Sequence, residues 1–423
     1  MKLRTLLAAA ILAFIAAPAR AQENPPPPAE PAAPQAPEPQ AQPPAPLPSD
    51  ADNSSLIRFA YGGDVAQIPA EFVSNFIFLP VSINQSSPSL FLLDSTSPTS
   101  SIDPKRAAAI GLAADPSTGA AENVFIEFPG VRWQVASLRI APRDGISPLT
   151  GRVYQGTLGL DFLSKVVIEI DYLRRTVQIY DPHSYTPPGK RVVQPVKWAG
   201  GLPYVPCKFS IHGEHSATGL FLVNSAQSAG IVFRDQFVSA HVHNFEHLKT
   251  IPGMYGTDAG VVPAAIGRIE SFGVEKFESP NMIAVIPHGA MEDSSNTAAT
   301  GVIGGAYLRR FVLVFDLPHQ QIVFEPNIHF IDRDDAGMSG LTLVARGPNH
   351  KTFEVAFVDP DSPAAHAGIQ TGDVIAGVND EAAADLTLDQ VQEMFRRLAE
   401  KYKVIVVRKD QTLTVNFQTR RLI

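Results

Sequence analysis

LGLDFLSKVVIEIDYLRRTVQI (158–179) and IGGAYLRRFVLVFDLPHQQIVF (303–324) align without a gap. Gly159 falls on Gly304, Leu163 on Leu308 and Asp171 on Asp316. Similarity within one chain at a long fixed separation marks a duplicated structural unit. Upstream, LFLLDS (90–95) is echoed by LFLVNS (220–225), and VSIN (81–84) and FSIH (209–212) precede them at nearly the same spacing. Each copy therefore holds a strand ending in Asp/Asn-Ser and, further on, an apolar-apolar-Gly segment. Around them run short β-type stretches such as FIFLPVSIN, NVFIEF, WQVASLRI, VVIEID and TVQIYD, broken by Gly, Pro, Asn and Ser. Helical stretches are few, with DPKRAAAIGL and FRDQFVSAHVHNFEHL the clearest. The pattern predicts a mostly-β chain.

A strand ending in Asp-Ser, once per half, is what two-carboxylate hydrolysis requires. Two Asp residues facing each other across a twofold axis share one proton and hold the attacking water, because like charges about 3 Å apart cannot both ionise. The hydroxyl neighbour bonds the opposite loop, and a following Gly lets its backbone N–H approach the carboxylate. Here the first copy reads Asp94-Ser95-Thr96 and the second Asn224-Ser225-Ala226. Asn224 has the shape of an acid without its titratable proton, so it cannot alternate as general acid and base. Thr96 adds bulk where Gly would leave room.

On these motifs the duplicated unit resembles the pepsin/retropepsin-like aspartyl proteases. That resemblance implies a two-lobed acid-protease β-barrel domain with dyad positions Asp94 and Asn224, flanked by Ser95 and Ser225. The family motif is Asp-Thr/Ser-Gly, from which both copies depart. The dyad is expected to be degenerate, leaving a cleft that binds extended polypeptide with little or no cleavage. The alternative is an active aspartic endopeptidase with a non-standard dyad, completed by a second chain's Asp94 or by another carboxylate such as Asp258. Asp94 also has a plain structural reading, as a loop aspartate accepting backbone N–H bonds.

Near residue 338 the pattern changes. Two strands (GLTLV, FEVAFVD) lead to SPAAHAGIQTGDVIAGVND, then a helix (LDQVQEMFRRLA) and two strands (KVIVVRK, LTVNFQT). Ser362 suits the cap of a short helix, Pro363 its first turn and Gly368 its stop. This tail resembles a PDZ domain, and exported bacterial proteins that join the two modules look like the nearest relatives. Such domains bind a peptide by strand addition and catch its terminal carboxylate with backbone N–H groups. The resemblance points to Gly340, Leu341, Thr342 and Leu343 as the carboxylate loop and pocket, and to Leu388, Val391 and Gln392 on the helix as the other wall. Partners are then polypeptide or protein C-termini at the PDZ groove and extended peptide in the cleft.

The rest of the sequence narrows the function by exclusion. A net charge of −8 with 18% charged residues and no sustained Lys/Arg cluster argues against nucleic acid. Lys2 and Arg4, LLAAAILAFIAA and Ala19-Arg20-Ala21 read as a secretory signal. A periplasmic or secreted bacterial protein with no membrane contact beyond export is expected; a retained signal acting as an anchor is the alternative. The expected partition is signal peptide 1–21, Pro-rich linker 22–54, lobes 55–190 and 191–333, and PDZ domain 338–423. Cys207, the sole cysteine, reads as a buried structural thiol. His243 and His247 stand i, i+4 with His241 nearby, but without HExxH they read as a solvated helix face rather than a metal site. No cofactor or metal is expected.

Overall fold

The computed structural model describes residues 56–142, 145–187, 191–213, 216–288 and 299–423. The expected signal peptide and linker lie outside these residues. Each of the two repeats closes a sheet on itself. In the first, Phe76–Ile83 pairs with Ser89–Leu93, which runs parallel to Gly156–Leu158; the hairpin Ala120–Phe128/Val131–Ile140 closes the sheet back onto Phe76–Ile83. In the second, Leu202–Ser210 pairs with Ala217–Val223, which runs parallel to Gly301–Ile303, and Gly260–Val274 closes back onto Leu202–Ser210. The alternating apolar residues of these strands face inward and are buried, among them Leu79, Phe91, Phe209 and Phe221.

A six-stranded sheet joins the lobes, in the order Val192–Pro195, Gln321–Pro326, Phe311–Asp316, Val167–Asp171, Thr176–Tyr180, Val65–Pro69. Its central pair contains the two halves of the sequence repeat. Glu169 pairs with Val314, and Ile168 and Ile170 pair with Phe315 and Leu313. Glu169 and Val314 occupy the same position in the two copies, so the pseudo-twofold axis passes between them. Ile168, Ile170, Leu313 and Phe315 are fully buried, each contributing about 1.5–3 kcal/mol by leaving water.

Residues 341–418 form a separate sheet with its own core. The strand order is Leu341–Arg346, Thr352–Val358, Val374–Val378, Lys401–Arg408, Gln411–Gln418, and the helix Leu388–Met394 packs beside Leu341–Arg346. Phe353, Val355, Leu388, Val391, Val404 and Val406 are its interior. Ser362 Oγ accepts the Ala365 N–H at 3.2 Å, Pro363 follows it, and Gly368 ends the turn at φ +90°. The chain is thus mostly β: a two-lobed pepsin/retropepsin-like acid-protease β-barrel domain followed by an α+β PDZ domain.

The segment between them is tied to the second lobe. Arg310 donates to the carbonyls of Phe330 and Asp332, and Arg268 reaches the carbonyls of Asp334 and Ile423 as well as the Asp335 carboxylate. One expectation fails here. The stretch 233–248 is not a single helix but two short ones, Asp235–Ala240 and Val242–Phe245. His241 leaves helical geometry at φ −126°, ψ 37°. Its ring stacks on Phe237 with centroids 4.2 Å apart, and its Nδ1 lies 2.9 Å from the Phe237 carbonyl. His243 and His247 therefore share no continuous helix face. Among the described residues no group of three His, Cys, Asp or Glu side chains is placed to hold a metal ion.

Candidate functional site

The two Asp/Asn-Ser loops meet on the twofold axis through their serines. Ser95 N–H donates to Ser225 Oγ at 2.9 Å, and Ser225 N–H donates to Ser95 Oγ at 3.0 Å. Ser95 Oγ donates to the Val223 carbonyl at 2.7 Å, and Ser225 Oγ to the Leu93 carbonyl at 2.8 Å. Both serines are fully buried. The apolar-apolar-Gly segments sit under the loops with the same symmetry. Leu160 N–H donates to the Ser97 carbonyl and Gly305 N–H to that of Gln227; the Asp94 and Asn224 N–H groups donate to Leu158 and Ile303. A Cβ on Gly159 would lie 2.6 Å from the Ser97 oxygen, and one on Gly304 2.7 Å from that of Gln227. Glycine is required at both places for close backbone approach.

The side chains at the two positions expected to form a dyad differ. Asp94 Oδ1 accepts from Thr96 N–H at 2.8 Å, Thr96 Oγ1–H at 2.7 Å and Ser97 N–H at 3.2 Å. Asn224 Oδ1 accepts from Ala226 N–H at 2.8 Å. The residue after each serine, Thr96 or Ala226, thus closes a tight turn onto the side chain in both copies, and Thr96 adds a hydroxyl bond on the Asp94 side. Behind the first loop lies Asp161, which is not among the residues expected from the sequence although it stands inside the repeat opposite Ala306. It accepts both the N–H and Oγ–H of Ser100, and Ser100 Oγ accepts the Gly159 N–H at 3.0 Å. Burial raises the Asp161 carboxyl above its ordinary range, against the pull of the Ser100 bonds.

The space over Asp94 is small. A cavity of about 100 Å³ is lined by Leu92, Asp94, Ile146, Tyr154, Thr157 and Asp258, among others. A strap from the first lobe, residues 145–153 around the short helix Ser147–Thr150, packs Ile146 and Leu149 against Phe78, Leu92 and Tyr154. Ala226, from the opposite loop, touches the same cluster. The second lobe covers the strap with the hairpin Thr250–Thr257/Gly260–Val274. A Cβ on Gly145 would fall 1.8 Å from the Asp258 carbonyl oxygen, and one on Gly256 2.8 Å from Leu149 Cδ1. Gln227 anchors the hairpin, donating to Tyr255 Oη at 2.8 Å and to the Gly256 carbonyl. The covering hairpin comes from the second lobe and brings Asp258, exposed at its tip, to the rim of the Asp94 cavity. Nothing in YGTDAG signals this, because the placement arises from the length of the hairpin and not from a motif.

At the C-terminal module, Gly340 takes φ +82°, and a Cβ there would lie 2.0 Å from Ser362 Cβ. The Leu341 N–H is given to Ser339 Oγ at 3.2 Å. Leu341 and Thr342 are half-buried, whereas Leu343, Leu388 and Val391 are buried in the core. Gln392 is half-buried and accepts from Ser74 Oγ of the first lobe at 3.1 Å. Cys207 is buried and unpaired, and burial pushes its thiol well up.

Residues 329–407 match the family model described as the PDZ domain. Among solved structures, the chain is similar to an aspartic proteinase from Irpex lacteus at 9% identity and a TM-score of 0.43, covering 64% of this chain and 100% of that one. It is also similar to a photosystem II D1 C-terminal processing protease at 24% identity and a TM-score of 0.19, covering 21% of this chain and 25% of that one. No curated protein matches. The architecture rests on the pairings and reciprocal bonds above.

Proposed function

We propose that this chain is an exported bacterial protein, periplasmic or secreted, that binds polypeptide with little or no cleavage. The acid-protease cleft takes extended chain, and the PDZ domain takes C-termini. The observation that carries this reading is the contrast at the axis. The reciprocal serine bonds that join the two loops are present in both copies, yet the second side chain is Asn224, an amide whose Oδ1 is engaged by Ala226 N–H. Geometry is kept where it supports the fold and lost where it would move protons. Two modest peptide sites on one chain gain through effective concentration. Export is supported by the basic, apolar and Ala-x-Ala segments at the N-terminus.

The test is digestion of an unfolded protein mixture between about pH 3 and 8, with products read by mass spectrometry. No products are expected. Products that vanish with Asp94→Ala would overturn the reading in favour of an active endopeptidase. That second reading has one observation behind it, the approach of Asp258 to the cavity that holds Asp94. It requires Asp258→Asn to abolish cleavage as well.

A further inference from the structure

The strap has two faces, and only one belongs to the cleft. Ile146 lines the cavity that holds Asp94, and Leu149 packs on the apolar cluster that includes Leu92. The other side of the same segment lies on the PDZ module, where the helix Ser147–Thr150 packs against the strand Leu341–Arg346. A Cβ on Gly151 would stand 3.2 Å from Leu388 Cβ, 3.5 Å from the His350 carbonyl oxygen and 3.8 Å from Ala345 Cβ. Leu341–Arg346 is the edge strand of its sheet, and the helix carrying Leu388 stands beside it. An edge strand with a neighbouring helix is where a peptide adds as a further strand. Gly151 therefore sits between the two walls of that groove, at the end away from Gly340 and Leu341.

A second contact clasps the same helix. Ser74 N–H and Ser74 Oγ–H both donate to Asp389 Oδ1, at 2.8 and 2.9 Å, and Ser74 Oγ–H also reaches Gln392 Oε1. Ser74 sits at φ +49° in the turn between Glu71–Val73 and Phe76–Ile83, and Val73 and Phe76 belong to the cluster that Ile146 joins. The clasp and the strap are thus packed on one apolar cluster of the first lobe. Beside the strap the fit to the PDZ module is incomplete: a cavity of about 290 Å³ lies between Arg106, Ser147 and Val153 on one side and Pro348 and His350 on the other. A contact that is clasped by side-chain bonds but loosely filled is suited to release.

We infer that the strap is an internal occupant of the distal half of the PDZ groove, and that a polypeptide C-terminus with an apolar last residue displaces it and so uncovers the Asp94 cleft. This rests on the peptide-binding reading of the PDZ domain and adds its control over the cleft. A peptide that extends past Ala345 and Leu388 meets Gly151 and cannot add to the edge while the strap is down. Displacing Gly151 pulls on Ile146 and Leu149 within a few residues, and these are the side chains that fill the space above Leu92. The peptide binds only the opened form, so its apparent affinity is reduced by the fraction of chains already open.

The test uses the full chain and a library of peptides of about ten residues, free-acid and amidated, ending in Val, Leu, Ile or Phe. Affinity is read by fluorescence anisotropy, and strap exposure by amide hydrogen exchange over 146–154. Ser74→Gly with Asp389→Ala opens the clasp and should tighten free-acid binding about tenfold, as a loss of about 1.4 kcal/mol from the closed form would give. Ser74→Cys with Asp389→Cys, bridged by oxidation or by a short bismaleimide and verified by mass, should weaken it at least tenfold, with return on reduction in the disulfide form. Added free-acid peptide should speed exchange at 146–154 in the wild-type chain. Peptide binding that is equal in clasped and opened chains, with strap exchange unchanged, would overturn the inference and leave the peptide-binding reading standing. No free-acid binding even in the opened chain would overturn both.

Discussion

Ser95 and Ser225 exchange equivalent hydrogen bonds across the axis, each backbone N–H to the other's hydroxyl and each hydroxyl to the carbonyl two residues before the other. The pair joins the lobes symmetrically, and all four bonds are buried. Replacing Ser95 with Ala strands the Ser225 N–H and the Val223 carbonyl without water. Each buried orphan costs about 1–3 kcal/mol, so Ser95→Ala should lose about 3 kcal/mol in denaturant unfolding followed by the buried Trp133 fluorescence. Ser225→Ala should lose about the same. Each variant removes a separate pair of the four bonds, so the loss in the double variant should lie near the sum, and any departure from it measures the coupling of the two loops across the axis.

The glycines beneath the loops give a second expectation. Gly304 has an extended backbone at φ −124°, ψ −169°, which any residue can adopt, so Gly304→Ala is not opposed by conformation. It is opposed by the Ala229 and Gln227 carbonyl oxygens, 2.5 and 2.7 Å from the new Cβ. Overpacking against backbone should cost about 2–3 kcal/mol. Gly368, at φ +90° with nothing within 4 Å of an added Cβ, is the opposite case, where Gly368→Ala costs about 1 kcal/mol from backbone strain alone. Urea midpoints of the two variants distinguish steric from conformational cost.

The proposed reading also expects that supplying a second carboxylate creates cleavage. Asn224→Asp with Ala226→Gly and Thr96→Gly supplies the second carboxylate and removes the Thr96 hydroxyl bond to Asp94. Two carboxylates on the axis then share a proton, and acid-dependent cleavage of unfolded protein should appear where the proposed reading expects none from the wild-type chain. It should be lost with Asp94→Asn in the same background. Cleavage should rise further when Ser74→Gly and Asp389→Ala open the clasp, because the strap no longer covers the cavity. A chain with both carboxylates that stays inert when the clasp is open would show that the two loops alone do not set cleavage.

Much of this arrangement is legible in the amino-acid sequence. The repeat 158–179/303–324 stands out because a twofold interface makes the same demands twice: Glu169 and Val314 are free to differ on the axis, while Gly159 and Gly304 must both clear a carbonyl oxygen. The capped turn at Ser362 is legible because capping is local. What the sequence hides is long-range. Asp258 comes to the rim of the Asp94 cavity through a hairpin whose length carries no signature, and Gly151 meets Leu388 from a distant part of the chain with nothing in SPLTGRV to announce it. The helix expected over 233–248 breaks at His241, whose backbone leaves helical geometry while its ring stacks on Phe237, a local feature that periodicity does not register.

The PDZ module carries an ion pair whose loss can be timed by pH. Asp373 is buried, and Arg408 grips it with Nε on Oδ1 at 2.6 Å and Nη2 on Oδ2 at 2.7 Å, while Gln370 N–H donates to Oδ2. Burial alone would raise the Asp373 carboxyl; the Arg408 and Gln370 bonds outweigh it and hold the group below its ordinary value. A carboxylate whose folded value is depressed contributes stability that is present above the unfolded value of about 3.9 and is lost as pH falls through the folded one. Arg408→Met removes the partner and leaves a buried charge, so it should destabilise the module at pH 7. The guanidinium is partly exposed to water, which holds the expected cost to about 1–2 kcal/mol. At a pH below the folded value Asp373 is protonated in both chains, and the difference should shrink toward zero. Urea midpoints followed from about pH 7 down through the acid range, read by exchange protection in the strand Val374–Val378, check this. A difference that persists undiminished in acid would assign the Arg408 contribution to packing of its stem and its bond to the Gly368 carbonyl instead of to the charge on Asp373.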